Sequence, residues 1–325
     1  MNFVTAFARS DRALVVRVIV ALALLAAPAP ALAQVAKWEA LIRSGNTAYQ
    51  KGDFRAAQPQ YEAALVEAQR IGKDSKEVAT TLNNLAEVDR NLGEFERAKQ
   101  RLSEALVIQE KRLGRGHIEV ATTLNNIGAV LLEQRKFADA VAPLTRALDI
   151  RDRSLGANHP DVGMAANNLG RAHQALGRQA QARYLYERAL VTVQKSVGTD
   201  HPYMAATLNN LASVFSAQNN LAKAEELVRE ALKIDERAYG KEHPQVAVDL
   251  NNLGFIYRKA KRFAEAEAVA KRSLVINEKY FGANHPEVAQ NLENYAVILR
   301  ELGRATEAEQ AVTRAQQIRR SATSG

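Results

Sequence analysis

The stretch HPYMAATLNNLASVFSAQNNLAKAEELVREALKIDERAYGKE, residues 201–242, recurs before and after itself with mainly surface residues changed. Five histidines, spaced by 42 residues, mark the same point in successive copies: His117, His159, His201, His243 and His285. Pairs of asparagines keep this spacing at 83/84, 125/126, 167/168, 209/210 and 251/252, and the last copy has Glu293-Asn294 instead. A fixed period of this size is typical of a solenoid, in which each unit buries its apolar face against its neighbours.

Within one copy the apolar residues follow two stripes with spacings of three and four, which indicate helices and not strands. The first stripe runs from Met204 to Phe215 and the second from Leu221 to Ile234, with a polar turn between them. Pro244 stands where the next helix should begin, a position at which its missing N–H costs little. Each copy is therefore predicted to be an antiparallel helix pair. Helix A should start near residues 76, 118, 160, 202 and 244, and helix B near residues 95, 137, 179, 221 and 263.

The blocks HPDVGMAANNLG (159–170) and HPQVAVDLNNLGFIY (243–257) resemble the 42-residue variety of the tetratricopeptide repeat, found in kinesin light chains and related bacterial repeat proteins. The resemblance covers roughly residues 38–320. It implies an all-α fold, a tetratricopeptide-type α-solenoid with antiparallel helix pairs in a right-handed superhelix. The long heptad segment by which a light chain joins its motor has no counterpart here, so the motor function is not carried over.

The first 33 residues differ from the array and have the pattern of a signal peptide. Arg9, Arg12 and Arg17 precede an apolar run over residues 18–27, and Ala31-Leu-Ala33 follows, so cleavage is expected after Ala33. An uncleaved anchor is the alternative, but the apolar run has half the length of about 20 residues that a spanning helix needs. We therefore expect an exported protein, periplasmic or secreted, with no membrane span after cleavage. The chain has no Cys, which excludes disulfides, thiolate metal sites and a lipid-modified cysteine.

The mature chain is expected to begin with a degenerate helix pair at 34–74. Five 42-residue repeats follow at 75–284, then a C-terminal pair at 285–320 and a polar tail at 321–325. No Pro-rich or Ser-rich linker divides the array, which predicts one continuous domain of about fourteen helices. Pro59 and Pro143 each fall about a turn or more into a predicted helix B, and should kink that helix or delay its start.

The resemblance implies that the A helices line a concave groove in which asparagines bind the backbone of an extended peptide. The candidates are both members of each pair: Asn83, Asn84, Asn125, Asn126, Asn167, Asn168, Asn209, Asn210, Asn251 and Asn252. An amide suits this role because it offers a donor and an acceptor together without net charge. The alternative is that one Asn of each pair bonds to the adjacent repeat and holds the stack.

One helical turn beyond the pairs the residues vary between copies, as specificity positions would. The candidates there are Arg171, Phe255, Arg258, Lys259 and Arg300. The C-terminal part of this set would suit an acidic peptide or protein segment with an apolar anchor. Exposed charge without a partner is the competing interpretation.

The sequence offers no catalytic motif. The five periodic histidines lie one repeat apart, roughly 10 Å for packed helices, so they cannot share a metal ion. Their place before each helix A instead predicts a capping or loop-packing role. No phosphate loop, His-Glu-x-x-His or nucleophile elbow occurs, so neither a cofactor nor an enzyme activity is expected.

The net charge of +8 is modest and becomes +6 after loss of residues 1–33. Lys and Arg alternate with Glu along the helices, which argues against a nucleic-acid surface. We therefore predict a non-enzymatic scaffold that binds a protein or peptide in its groove. The alternatives are a self-associating structural protein of the cell envelope and a polyanion or nucleic-acid binder. The partner and the oligomeric state are left open.

Overall fold

The computed structural model describes residues 29–323, so the predicted signal peptide lies outside the described residues up to residue 28. The described part of the chain contains fourteen α-helices. They are α1 (Ala29–Gln50), α2 (Phe54–Ile71), α3 (Lys76–Asn91), α4 (Phe95–Leu113), α5 (Ile118–Glu133), α6 (Phe137–Leu155), α7 (Pro160–Ala175), α8 (Gln179–Val197), α9 (Pro202–Ala217), α10 (Leu221–Tyr239), α11 (Pro244–Lys259), α12 (Phe263–Phe281), α13 (Pro286–Glu301) and α14 (Ala305–Thr323). The odd-numbered helices are the A helices of the repeats and the even-numbered ones the B helices.

The start of each A helix from α5 onward is fixed by the histidine that precedes it. Nδ1 of each histidine accepts a hydrogen bond from the backbone N–H two residues further on, at 3.1 to 3.2 Å. The side chain thereby satisfies one of the donors that the first turn of a helix leaves open. The prediction of a capping role is confirmed for His117, His159, His201, His243 and His285.

The helix starts predicted for the five repeats agree with the structure, because Pro, His and the polar turns mark them in the sequence. The prolines behave differently from the prediction of a delayed start. Pro59 and Pro143 lie inside α2 and α6, which begin at Phe54 and Phe137. Each helix therefore accommodates a ring without an N–H in its second turn.

The helices group into two compact units, residues 1–154 and 155–325, of which the described parts are considered separately. In the first unit α1 packs on α2 and α3 on α4. In the second, α7 packs on α8, α9 on α10, α11 on α12 and α13 on α14. The division falls inside α6 and not at a linker. The expectation of one continuous domain stays a prediction.

Within a pair, small residues of the A helix receive large residues of the B helix. A Cβ placed on Gly170 would lie 2.7 Å from the ring of Tyr186, which is fully buried. Gly128 and Leu144 repeat this arrangement in the first unit, with a corresponding separation of 2.3 Å. Close approach of the backbone at these points lets the two helices bury a large side chain between them.

Candidate functional site

The A helices of successive pairs contact one another within each unit. In the first unit α3 contacts both α1 and α5, and in the second α9 contacts α7 and α11, which in turn contacts α13. The Asn pairs lie at the same point of α3, α5, α7, α9 and α11. They therefore form a row along one layer of each unit.

The first Asn of the pair bonds to the next A helix at three repeats. Oδ1 of Asn83 accepts from Thr123 Oγ1 at 3.0 Å. Nδ2 of Asn209 donates to Asp249 Oδ1 at 2.5 Å, and Nδ2 of Asn251 to an acceptor on Asn291 at 3.3 Å. The partner is each time 40 residues further along the chain.

A fourth such contact joins the first Asn of α7 to the second Asn of the pair on α9. Asn167 is only 7% exposed, and its Oδ1 accepts from Nδ2 of Asn210 at 2.9 Å. One Asn of the pair therefore bonds to an adjacent repeat in four cases, as the alternative interpretation expected: Asn83, Asn167, Asn209 and Asn251. Asn125 and Asn168 are half-buried.

The partners of these asparagines belong to a row of buried polar residues that the sequence motifs did not indicate. On the A helices this row comprises Thr81, Thr123, Thr207, Asp249 and Asn291, all at most 2% exposed. On the B helices it comprises Glu67, Gln109, Arg151, Asp235 and Asn277, all at most 6% exposed. Both rows follow the 42-residue period, and this regularity is the feature of the sequence that could have revealed the buried polar residues. Ala165 and Val193 occupy the equivalent positions of one repeat and are apolar. At the other positions the type of polar residue changes from repeat to repeat, so the pattern is difficult to recognise in the sequence.

Residues from the two rows meet between repeats. Thr123 Oγ1 lies 2.6 Å from Gln109 Oε1 in the first unit, and Asn277 Nδ2 donates to Asn291 Oδ1 at 3.3 Å in the second. Together with the first Asn of the pair, each meeting point joins three helices: an A helix, its B helix and the next A helix. We call these the inter-repeat polar clusters. A buried polar group must find a partner, so each cluster specifies how the next repeat docks.

One cluster contains two carboxyl groups, Asp235 of α10 and Asp249 of α11, together with Asn209 of α9. Burial is the main cause that raises the pKa of Asp249 to about 8; hydrogen bonding from Asn209 opposes this shift and the neighbouring Asp235 adds to it. Burial likewise raises the pKa of Asp235 to about 6. The two carboxyl groups lie close enough for each to affect the pKa of the other. Both shifts favour the protonated form of a carboxyl group at this place.

The second Asn of the pair is the one available to a ligand. Asn84, Asn126 and Asn252 are half-buried, and their side chains form no hydrogen bond with any residue that the structure describes. Asn210 differs, because it bonds to Asn167. Whether any of the paired asparagines binds a ligand stays a prediction.

A cavity of about 270 Å³ opens beside Asn252, between α11 and α13. Its wall includes Phe255, 51% exposed, and Val297, 37% exposed. The guanidinium of Arg258 lies over the Phe255 ring, 5.6 Å from its centroid. An exposed aromatic ring beside an amide and a cation offers an apolar surface with polar contacts around it. We call this the α11–α13 cavity.

The other variable positions differ in their availability. Arg171 and Arg300 are exposed, and neither forms an ion pair with a described residue. Lys259 instead donates its Nζ hydrogen bond to the backbone carbonyl of Ser216 on α9. Lys259 therefore connects two repeats at the end of a helix, where a cation is favoured by the helix dipole.

In the first unit two residues equivalent to these variable positions, Glu87 and Arg90, form an ion pair with each other. Glu87 accepts from the Tyr49 hydroxyl at 3.2 Å and from Arg90 at 3.0 Å, and Arg90 also bonds to Glu133 at 2.6 Å. Nearby carboxylates raise the pKa of Arg90 above its ordinary value, although burial opposes the shift. These charges already satisfy each other, so the described part of this unit offers no free cation at these positions.

No group of three or more His, Asp or Glu in the described residues is placed to hold a metal ion. Among the helices that the structure describes, none has both the length and the apolar character to cross a membrane.

Antiparallel helix pairs that recur every 42 residues, with their A helices side by side, define an α-solenoid repeat protein. The profile of one family, described as tetratricopeptide repeat, matches residues 39–111, 77–153, 119–191, 186–237, 203–274 and 247–321. The chain belongs to the tetratricopeptide repeat family. Proteins of this family are in general non-catalytic scaffolds for protein interaction.

Solved structures with the same fold include kinesin-light-chain-like proteins. BtubC (BKLC) from P. vanneervenii is 23% identical, with 72% of this chain and 92% of that chain covered and a TM-score of 0.57. A putative kinesin light chain of Podosopora anserina with nearly identical repeats is 22% identical, with 62% of this chain and 96% of that chain covered and a TM-score of 0.54. RapI in its apo form is 16% identical, with 89% of this chain and 99% of that chain covered and a TM-score of 0.69. At these identities the likeness concerns the fold alone. A comparison with curated protein sequences gives no match.

Proposed function

We propose that this protein is a non-enzymatic scaffold that binds a peptide or protein segment along the A-helix layer of each of its two units. The observation that carries the proposal is the set of second asparagines, Asn84, Asn126 and Asn252, whose half-exposed amides have no partner among the described residues. An amide of this kind can bond to one peptide unit through both its donor and its acceptor. An extended chain presents such units at regular intervals.

The α11–α13 cavity supports a partner with an apolar side chain flanked by acidic residues. Phe255 and Val297 offer the apolar contact, and Arg258 in the wall of the cavity is a cation without an ion pair to a described residue. A carboxylate beside the anchor would gain a charge-assisted hydrogen bond. Nucleic acid is disfavoured, because most cations on the helices are paired with carboxylates of the same or the next repeat.

We further propose that the chain is exported and processed after Ala33. The arginines, apolar run and small residues of the first 33 positions support this. Processing there would keep the contacts of α1 that begin at Gln34: the bonds of Gln34 and Lys37 to Glu67, and that of Trp38 to Thr81. N-terminal sequencing of the protein from the exported fraction should give Gln34 first. Protein found only in the cytoplasm with an intact leader would contradict this proposal.

Selection from a peptide display library tests the binding site against many candidate partners at once. The mature chain should enrich peptides that have carboxylates next to an apolar residue. A variant with Phe255→Ala and Arg258→Ala should lose these peptides, and one with Asn84→Ala, Asn126→Ala and Asn252→Ala should bind them more weakly.

The matched control carries Gln100→Ala and Gln181→Ala, which remove exposed amides from the B helices. All variants are first compared by circular dichroism and urea unfolding, so that loss of fold is not mistaken for loss of binding. Selected peptides that bind the cavity variant and the wild type equally would show that binding occurs elsewhere.

A further inference from the structure

We propose that Asp235 and Asp249 share one proton and act as a pH-sensitive latch between adjacent repeats. With the proton, the pair completes the polar cluster that joins α9, α10 and α11. Without it, two like charges face each other inside that contact, and the repeats separate more easily.

The other clusters of the chain show what this position requires. Asn83, Gln109 and Thr123 fill the equivalent place in the first unit, and Asn251, Asn277 and Asn291 fill it in the next repeat of the second unit. All six side chains are uncharged at every pH in which the protein folds. A pair of carboxyl groups fits the same place only when a proton lets one of them donate to the other.

Among the residues that the structure describes, no cation compensates the charge of the pair. Asp249 is fully buried and Asp235 is 4% exposed, and no Lys, Arg or His of the described residues bonds to either carboxyl group. From α9 the pair receives the amide of Asn209. From α10 the Glu236 carboxylate further disfavours the charged form of Asp249, and Arg272 of α12 pairs with Glu236 and not with the latch.

Two further observations complete the environment. The Tyr239 hydroxyl of α10 is a further titratable group near Asp235, and its own pKa is raised by burial and by Asp235. Three oxygens of the cluster have no hydrogen-bond partner in the described residues: Asn209 Oδ1, Asp235 Oδ1 and Asp249 Oδ2. A second negative charge would therefore find no donor to stabilise it.

The sign of the pH effect follows from linkage. Both carboxyls bind a proton more tightly in the folded chain than in the unfolded one, where the ordinary value of an aspartate applies. Their contribution to stability is complete below pH 4 and is lost as pH rises through about 6 and about 8, the pKa values of the folded pair. The latch thus loosens on the alkaline side of neutrality. It lies between the helices that carry Asn210 and Asn252, so its state also affects the spacing of the A helices there.

The test compares the urea unfolding of the mature wild type with that of an Asp235→Asn, Asp249→Asn variant between pH 4 and pH 9. The variant copies the amide pair Asn277 and Asn291 of the next repeat, so the position keeps its size and hydrogen-bonding character. In the wild type the unfolding equilibrium constant should rise with pH, by up to about tenfold for each pH unit over which one proton is released. The difference between wild type and variant should be smallest toward pH 4, grow as the pH rises, and level off above about pH 8.

The matched control transplants the latch. An Asn277→Asp, Asn291→Asp change, made in the background of the first variant, should restore the alkaline loss of stability. A wild type and variant with parallel pH profiles would overturn the proposal.

If the double variant does not fold, infrared spectroscopy of the wild type decides. A protonated-carboxyl band at pH 7 that shifts in an Asp249→Asn variant supports the latch. The absence of any such band in the wild type refutes it.

Discussion

At the scale of single residues, the absence of a side chain at Gly170 is what lets Tyr186 lie between α7 and α8. The ring cannot move aside easily, because its hydroxyl donates to Gln174 Oε1 at 2.7 Å and its side chain is fully buried. Gly170→Ala should therefore lower the free energy of unfolding by about 1 to 3 kcal/mol, as overpacking in a core does.

Gly254→Ala is the matched control, because the added Cβ would lie 3.4 Å from Val269, an ordinary contact. Here the better helix propensity of alanine should raise stability by up to about 1 kcal/mol. Urea unfolding of both variants at one pH measures the contrast. Equal effects on the two variants would mean that the A and B helices adjust freely to each other.

The capping histidines give the molecule a second pH dependence, of opposite sign to that of the latch. Nδ1 can accept a backbone hydrogen bond only while it carries no proton, and burial lowers the pKa of His201 and His243. For a lowered pKa in the folded state, the stabilisation is present above the unfolded value of about 6.5 and is lost as pH falls below it.

His243→Asn keeps an acceptor that acid does not remove, because asparagine is also a strong N-cap. Between pH 7.5 and pH 5 the variant should lose less stability than the wild type, by about 0.5 to 2 kcal/mol, the usual contribution of one cap. The urea midpoint at the two pH values provides the measurement. Acid losses of the same size in both proteins would mean that the histidine cap contributes nothing to stability.

At the scale of helices, the two members of an Asn pair have different roles although they are neighbours in sequence. Asn83 bonds to Thr123 of the next A helix, whereas Asn84 has no side-chain hydrogen bond to a described residue. Asn83→Ala should destabilise the protein by about 1 kcal/mol relative to Asn84→Ala.

Both substitutions change helix propensity equally, so thermal unfolding of the two variants isolates the contribution of the polar cluster. The opposite order of stability would place the structural role on Asn84. An unchanged midpoint in both variants would show that the cluster does not hold the repeats together.

The helices themselves could be predicted from the sequence almost to the residue, because each start coincides with a local chemical feature. A histidine acceptor, a proline without an N–H or a glycine with positive φ such as Gly240 acts within a few residues of itself. The polar clusters could not be found this way. Gln109 and Thr123 lie 14 residues apart on different helices, and each alone is an ordinary polar residue on a helix. Their burial depends on how the next repeat packs, which local patterns do not describe.

The candidate site was predicted only in outline for the same reason. Phe255 and Arg258 lie at a cavity as the variable positions suggested, but Lys259, one residue further, turns to the carbonyl of Ser216. A helical wheel distinguishes faces of one helix. It does not show which face the neighbouring repeat covers.

At the scale of the whole molecule, each repeat of the second unit contacts its neighbours through equivalent helices. Removing residues 202–243, one complete period, should therefore leave a folded protein with a modestly lower urea midpoint. Truncation after Ser273, which removes the last pair and cuts α12, should cost more, because it uncovers apolar surface that α13 and α14 bury.

Circular dichroism and analytical size exclusion of the two shortened proteins provide the measurement. If the truncated protein folds and the protein with the internal deletion does not, stability is not a sum of contributions from the single repeats and their contacts with neighbours.

The equal spacing of the polar clusters also has a consequence for how the gene can change. A crossover between two copies displaced by 42 codons would delete or duplicate one helix pair together with its histidine cap and its cluster partners. Loss of residues 223–264, for example, would place Asn209 opposite Asn277 and Asn291, the same amides that Asn251 meets now. One recombination event can therefore alter the length of the array, and remove the carboxyl pair, without leaving an incomplete contact between repeats.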